Sequence, residues 1–125
     1  MSIVVSIQNV NAFDNIITVS GVLILSGNYV AGGDTINFAT AVQDPNFTGL
    51  TPVIPSSQPP QDLDCWSIGG NLLNQYCAVV GTSQTNNKLK VSAASTFGSE
   101  FSAGAYSAAI LADTIAFQAN FKKFQ

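Results

Sequence analysis

Hydrophobic and polar residues alternate along most of this chain with a period of two, the spacing of a half-buried strand, and stretches of helical period are scarce. At the start, Ile3, Val5 and Ile7 fall on one side, Ser6 and Gln8 on the other. Residues 15–25 (NIITVSGVLIL) are rich in β-branched types and almost continuously apolar, which predicts a strand covered on both faces. Gly21 inside that run predicts a bulge or bend rather than an end. Ser26-Gly27-Asn28 and Gly32-Gly33-Asp34 read as turns on either side of Tyr29-Val30-Ala31. From Thr35 to Ala41 the alternation returns, with Ile36 and Phe38 on one face.

From Gln43 to Asp64 the texture changes, and all five prolines fall there: Pro45, Pro52, Pro55, Pro59 and Pro60. Proline lacks the N–H that a central strand needs, so 43–64 is expected to be a long irregular loop with a short edge strand at 50–54. Loops this long in compact domains are frequently functional. Pro52, Pro55, Pro59 and Pro60, with Trp66 just beyond, are therefore the candidate partner-contact residues, although a loop lying over the end of a sandwich explains the same composition. Trp66 itself is expected to anchor the core, and to serve an interface only if exposed.

Beyond the loop, 65–68 and 75–80 are expected to pair around Gly69-Gly70-Asn71. That would set Cys65 opposite Cys77, leaving open a disulfide or, as favoured here, two buried thiols. Asn86-Asn87 turns the chain into 88–93, with Leu89 and Val91 inward and Lys88 and Lys90 outward. Residues 102–112 are Ala-rich enough for a helical turn or two. The cleanest alternation is 113–121, where Ile115, Phe117, Ala119 and Phe121 share one face. One pattern occurs twice: Gly27-x-Tyr29-x-Ala31 leading to Asp34-Thr35-Ile36-x-Phe38, and Gly104-x-Tyr106-x-Ala108 leading to Asp113-Thr114-Ile115-x-Phe117 with two extra residues between. Two matched corners suit a pseudo-symmetric sandwich. The chain thus reads as all-β: one domain over 1–125, an antiparallel β-sandwich or barrel of about seven to nine short strands.

Composition narrows the function. The chain has 125 residues, enough for one domain, and 9% are charged against roughly 25% in an average soluble protein. Histidine and arginine are absent, net charge is −3 and the pI is near 4.3. Nothing here neutralises a phosphate backbone, so nucleic acid is excluded as a partner. Without histidine there is no His-based triad and no His metal ligand. Two cysteines without a CxxC motif imply no metal site, and no cofactor is expected. The longest apolar run, 22–25, is far short of a membrane span, and the N-terminus lacks the basic start of a signal peptide, so no membrane association is expected. Asp34 and Asp113 sit at turn-to-strand junctions and are expected to accept local backbone hydrogen bonds. Asp62 and Asp64 form the one close carboxylate pair, read as solvated loop charges rather than a glycosidase or calcium site. Lys122 and Lys123 are expected to blunt the edge of the last strand. A non-enzymatic protein is expected.

The segments GNYVAGGDTINF, NNKLKV and GAYSAAILADTIAFQANFKKF resemble those of small virion proteins of tailed bacteriophages encoded near the major capsid gene. The resemblance covers the first and last thirds of the chain, and 43–64 does not share it. It implies a capsid decoration (cement) protein that binds the major capsid protein and reinforces the shell, located in the virion after assembly in the host cytoplasm. No catalytic residue is carried over. Self-association, with a trimer as one form, is expected on the same grounds. The alternative is a tail or fibre module for host carbohydrate, which needs an exposed Trp66, Tyr29, Tyr76 or Tyr106 beside Asn or Asp groups.

Overall fold

The period-two stretches become strands, and their apolar sides meet. The computed structural model describes residues 3–12, 15–44, 58–70, 73–93 and 100–122. Among them are ten strands: β1 (Ile3–Ala12), β2 (Ile16–Leu25), β3 (Asn28–Tyr29), β4 (Asp34–Ile36), β5 (Val42–Gln43), β6 (Pro60–Ser67), β7 (Asn74–Val79), β8 (Asn87–Ala93), β9 (Gly104–Ala105) and β10 (Ile115–Lys122). A 3-10 turn spans Phe38–Thr40, and one turn of helix, α1, spans Ala108–Leu111. The strand total exceeds the expected seven to nine because β3, β5 and β9 are only two residues long.

Five strands form one sheet in the order β5-β1-β2-β10-β6, three form another in the order β4-β8-β7, and β3 and β9 make a short ribbon. All pairings are antiparallel except β1 with β5. Across the layers β1 lies against β4 and β6 against β7, giving an all-β sandwich. Its core takes Ile3, Val5 and Ile7 from β1, Ile17, Val19 and Leu23 from β2, and Ile115, Phe117, Ala119 and Phe121 from β10. Leu89 and Val91 of β8 and Ile36 of β4 meet them from the other sheet. Each such large side chain contributes about 1.5–3 kcal/mol by leaving water. Phe38 packs edge-on against Phe117 (5.8 Å) and Phe121 (5.2 Å), locking the 3-10 turn to β10.

Several expectations are corrected. Strand β2 is central in its sheet but covered on one face only: Ile17, Val19 and Leu23 are buried while Ile16 and Ile24 are exposed. Its unbroken apolarity therefore marks an apolar outer surface, not a second covering layer. The strand expected over 35–41 stops at Ile36, where Asn37 caps the 3-10 turn by accepting from the Ala39 N–H. The loop expected over 43–64 is strand at Gln43 and from Pro60 onward. Pro60 is tolerated there because it opens an edge strand, where a missing N–H breaks no ladder. The edge strand expected at 50–54 lies outside the described residues. β6 and β7 do not pair with each other: β6 pairs with β10 and β7 with β8, so Cys65 and Cys77 sit in different sheets. β10 is flanked by β2 and β6, so Lys122 guards no edge, and Lys123 lies outside the described residues.

Gly21 works through its partner. The bulge lies on β1 between Ile7 and Asn9, directly across from Gly21, and a Cβ there would collide with the Ser6 carbonyl oxygen. Gly21→Ala should therefore lower the urea midpoint by the equivalent of about 1–3 kcal/mol, with the slope of the transition unchanged.

Candidate interaction surface

The open face of the five-stranded sheet follows from strand register. Val4 pairs with Ile24, and beyond them Thr114 and Ile68 continue the row, joined by the bond from the Ile68 N–H to the Thr114 carbonyl (2.8 Å). The next row runs Ser6, Val22, Ala116, Trp66. Further along, the face turns polar: Ser20, Gln118, Asp64, then Thr18, Asn120, Asp62. Hydrogen bonds run along this last row, from the Thr18 hydroxyl to Asn120 (2.7 Å) and from the Asn120 amide to Asp62 (2.8 Å). At the apolar end Val4, Ile24, Trp66 and Ile68 are exposed, and Leu111 of α1, also exposed, shares a depression with Ile24. Scattered apolar residues are ordinary on a surface, whereas a contiguous group of this kind marks an interaction site.

Three carboxylates, Asp34, Asp113 and Glu100, are engaged in hydrogen bonds within the fold. Asp34 is buried, accepts from the Thr35 N–H, and takes the Tyr106 hydroxyl as donor. Asp113 accepts from the Ser67 hydroxyl (2.7 Å), the Gly69 N–H (3.1 Å) and the Tyr76 hydroxyl (2.9 Å), tying β6, β7 and α1 together. Glu100 accepts from the Tyr29 hydroxyl (2.6 Å) and the Gly32 N–H (2.7 Å), which hold its carboxyl below the usual range. Burial first, then the bond to Glu100, pushes the Tyr29 hydroxyl up to about 12. Tyr106 is raised as well, by burial and by Asp34. Every buried polar side-chain atom among the described residues has a hydrogen-bond partner, and no cluster there has the three or more ligands a metal would need.

A cleft of about 500 Å³ opens between β6 and β7, with Cys65 on one wall and Cys77 on the other. Both thiols are free, Cys65 half-buried and Cys77 exposed, against the expectation of two buried thiols in one strand pair. Burial pushes the Cys65 thiol up to about 12, with smaller contributions from the charges of Asp64 and Cys77.

Of the residues expected at a partner interface, Trp66 lies on the open face and is 43% exposed, not a core anchor. Pro60 is buried at the start of β6, and Pro59 precedes it beside Lys122 in a shallow depression. Pro52 and Pro55 lie outside the described residues. Asp62 and Asp64 are exposed strand residues, not loop charges. Tyr29 and Tyr106 are buried and cannot form a sugar platform, while Tyr76 is half-buried with its hydroxyl bound to Asp113. Sequence reasoning missed Val4, Ile24, Ile68 and Leu111. The signal was present in the unbroken apolar run of β2, which alternation alone does not require. No helix among the described residues is long and apolar enough to cross a membrane. Comparison with known proteins finds no matching family model, no curated relative and no similar solved structure.

Two measurements check this account. Tyr29 and Cys65 stay neutral in the folded chain where the unfolded chain ionises, near 10 and 9, so their contribution is complete below pH 9 and lost as pH climbs toward 12. Glu100 acts oppositely: its contribution is present above pH 4.5 and lost as pH falls further. The thermal midpoint should form a plateau with an alkaline limb that Tyr29→Phe makes shallower. A thiol reagent at neutral pH should label one cysteine per chain quickly, and Cys77→Ser should abolish that fast phase.

Proposed function

We propose that this chain is a virion structural protein, a capsid decoration protein of a tailed bacteriophage that binds the major capsid protein and stabilises the shell. The observation that carries this reading is the contiguous apolar end of the open sheet face, Val4, Ile24, Trp66, Ile68 and Leu111, on a body where Asp34, Asp113 and Glu100 are taken up by hydrogen bonds within the fold. A shell component needs rigidity and a dry contact surface, and no reacting group. The likeness of the first and last thirds to phage virion proteins points the same way. Low charge also suits crowded packing, because densely charged neighbours would repel. On this reading the protein resides in the virion and is assembled onto the shell in the host cytoplasm.

The tail or fibre alternative has one observation in its favour, exposed Trp66 on the same face as Asp64 and Gln118. With Tyr29 and Tyr106 buried, no second exposed ring accompanies it among the residues considered for that role.

Co-sedimentation with undecorated shells tests the proposal. The wild-type chain should pellet with saturable stoichiometry. Replacing Ile24 and Trp66 together by Lys should weaken this at least about tenfold, equivalent to roughly 1.4 kcal/mol, while the thermal midpoint changes little because both side chains lie outside the core. Binding to host glycans without binding to shells would refute it in favour of the alternative.

A further inference from the structure

Charge on the described surface is sparse, and two like-charged pairs stand on opposite faces. On the open side of the five-stranded sheet, Asp62 and Asp64 project from β6, two residues apart. On the open side of the three-stranded sheet, Lys88 and Lys90 project from β8, also two residues apart, because Leu89 and Val91 between and beyond them point into the core. Strand rise makes the spacing within each pair about 7 Å.

The two pairs also lie at the same level of the sandwich. Lys90 is registered with Cys77 and Lys88 with Val79 on β7, and Cys77 faces the cleft that Cys65, next to Asp64, lines from β6. Moving away from the 68–73 connection, the order is Asp64 then Asp62 on one face and Lys90 then Lys88 on the other. Each pair has one neighbour of opposite sign, Lys122 near the aspartates and Glu100 near the lysines, so each side keeps the sign of its pair. Asp62 takes one hydrogen bond from Asn120, and Lys88 donates to the Thr35 hydroxyl (3.0 Å). Lys90 acts on Glu100 through charge alone, and Glu100 is already held by Tyr29 and Gly32. Lys122 lies beyond the Asn120–Asp62 row, farther from the apolar end.

We propose that copies of this chain associate head to tail, the Asp62–Asp64 face of one against the Lys88–Lys90 face of the next. A second copy is the occupant because the complementary charges, equally spaced and at equal height, are on the opposite side of the same molecule. A two-fold dimer through either face would instead oppose aspartates to aspartates or lysines to lysines. Such a head-to-tail contact closes into a ring if the rotation per copy permits and otherwise continues as a chain. Exposed ion pairs are individually weak, so here they set orientation, while contact area comes from flanking side chains: Gln118 beside Asp64 on one face and Val79 beside Lys88 on the other. This association does not depend on any shell partner.

Sedimentation of the purified chain, without shells, tests it. The wild type should self-associate between about 1 μM and 1 mM, and less as salt is raised. D62K/D64K alone and K88E/K90E alone, each folded by circular dichroism, should associate at least tenfold more weakly. An equimolar mixture of the two should recover association, since each then meets the opposite charge on both faces. A wild type that remains a 13.0 kDa monomer throughout, variants that associate as it does, or a mixture that recovers nothing would each overturn the proposal. Shell binding is read in a separate experiment, so failure of either reading leaves the other standing.

Discussion

A five-stranded sheet covered on one face by a narrower three-stranded one is the constraint from which the other features follow. Every strand must commit alternate residues to the single core between the layers, and several outward residues of the wide sheet, Val4, Ile16, Ile24 and Trp66 among them, are left exposed. That open face is divided by register: polar side chains, two aspartates among them, at one end, large apolar ones at the other. The polar half meets water at no cost beyond solvation. The apolar half does not, and it is there that a binding partner would recover free energy.

The side chains with chemical potential are drawn into the same architecture. Tyrosine hydroxyls from Tyr29, Tyr76 and Tyr106 each donate to a different carboxylate, and each bond joins segments distant in sequence. In a chain with few cations, phenols take the place that arginines fill elsewhere. They satisfy buried Asp34, half-buried Asp113 and exposed Glu100 without introducing a second charge to desolvate. This economy helps a protein with 9% charged residues keep the buried polar side chains among its described residues hydrogen-bonded.

The fold was legible in the sequence wherever one period and one face were at stake. The inward sets of β1, β8 and β10 could be read residue by residue, and the all-β class followed from them. What escaped were relations between strands. Symmetry about residue 71 suggested a β6–β7 hairpin, yet β6 pairs with β10 and β7 with β8, and Asp113, bound to Ser67 and to Tyr76, bridges the two layers. The repeated Gly-x-Tyr corner was visible, but not that its two copies would pair with each other. Tyr29 lies opposite Gly104, the two tyrosine rings meet at 6.0 Å, and Tyr106 of the second copy serves Asp34 of the first. The reciprocal bond is missing because the two extra residues of the second copy fall where α1 forms, and Asp113 is served by Tyr76 instead. The surface patch escaped for a simpler reason: alternation reports which residues alternate, not whether the outward face is covered.

Edges bear on how such a body could meet its neighbours. Free strand edges invite uncontrolled pairing, and the long edge strand β6 is blunted three ways: Pro60 at its start, an irregularity in its pairing with β10 that leaves Gln61 without a partner, and the charges of Asp62 and Asp64. β7, the other long edge, lies against β6 across the cleft instead of standing free. With the β6 and β7 edges discouraged, regular contacts on that side of the sandwich are directed to the faces. There a few charges have large leverage, since ionisable neighbours are few. Two aspartates on one side and two lysines on the other would be unremarked in an ordinary surface of mixed charge. On a surface made mostly of serine, threonine, asparagine and glutamine, they are the groups that distinguish one approach from another.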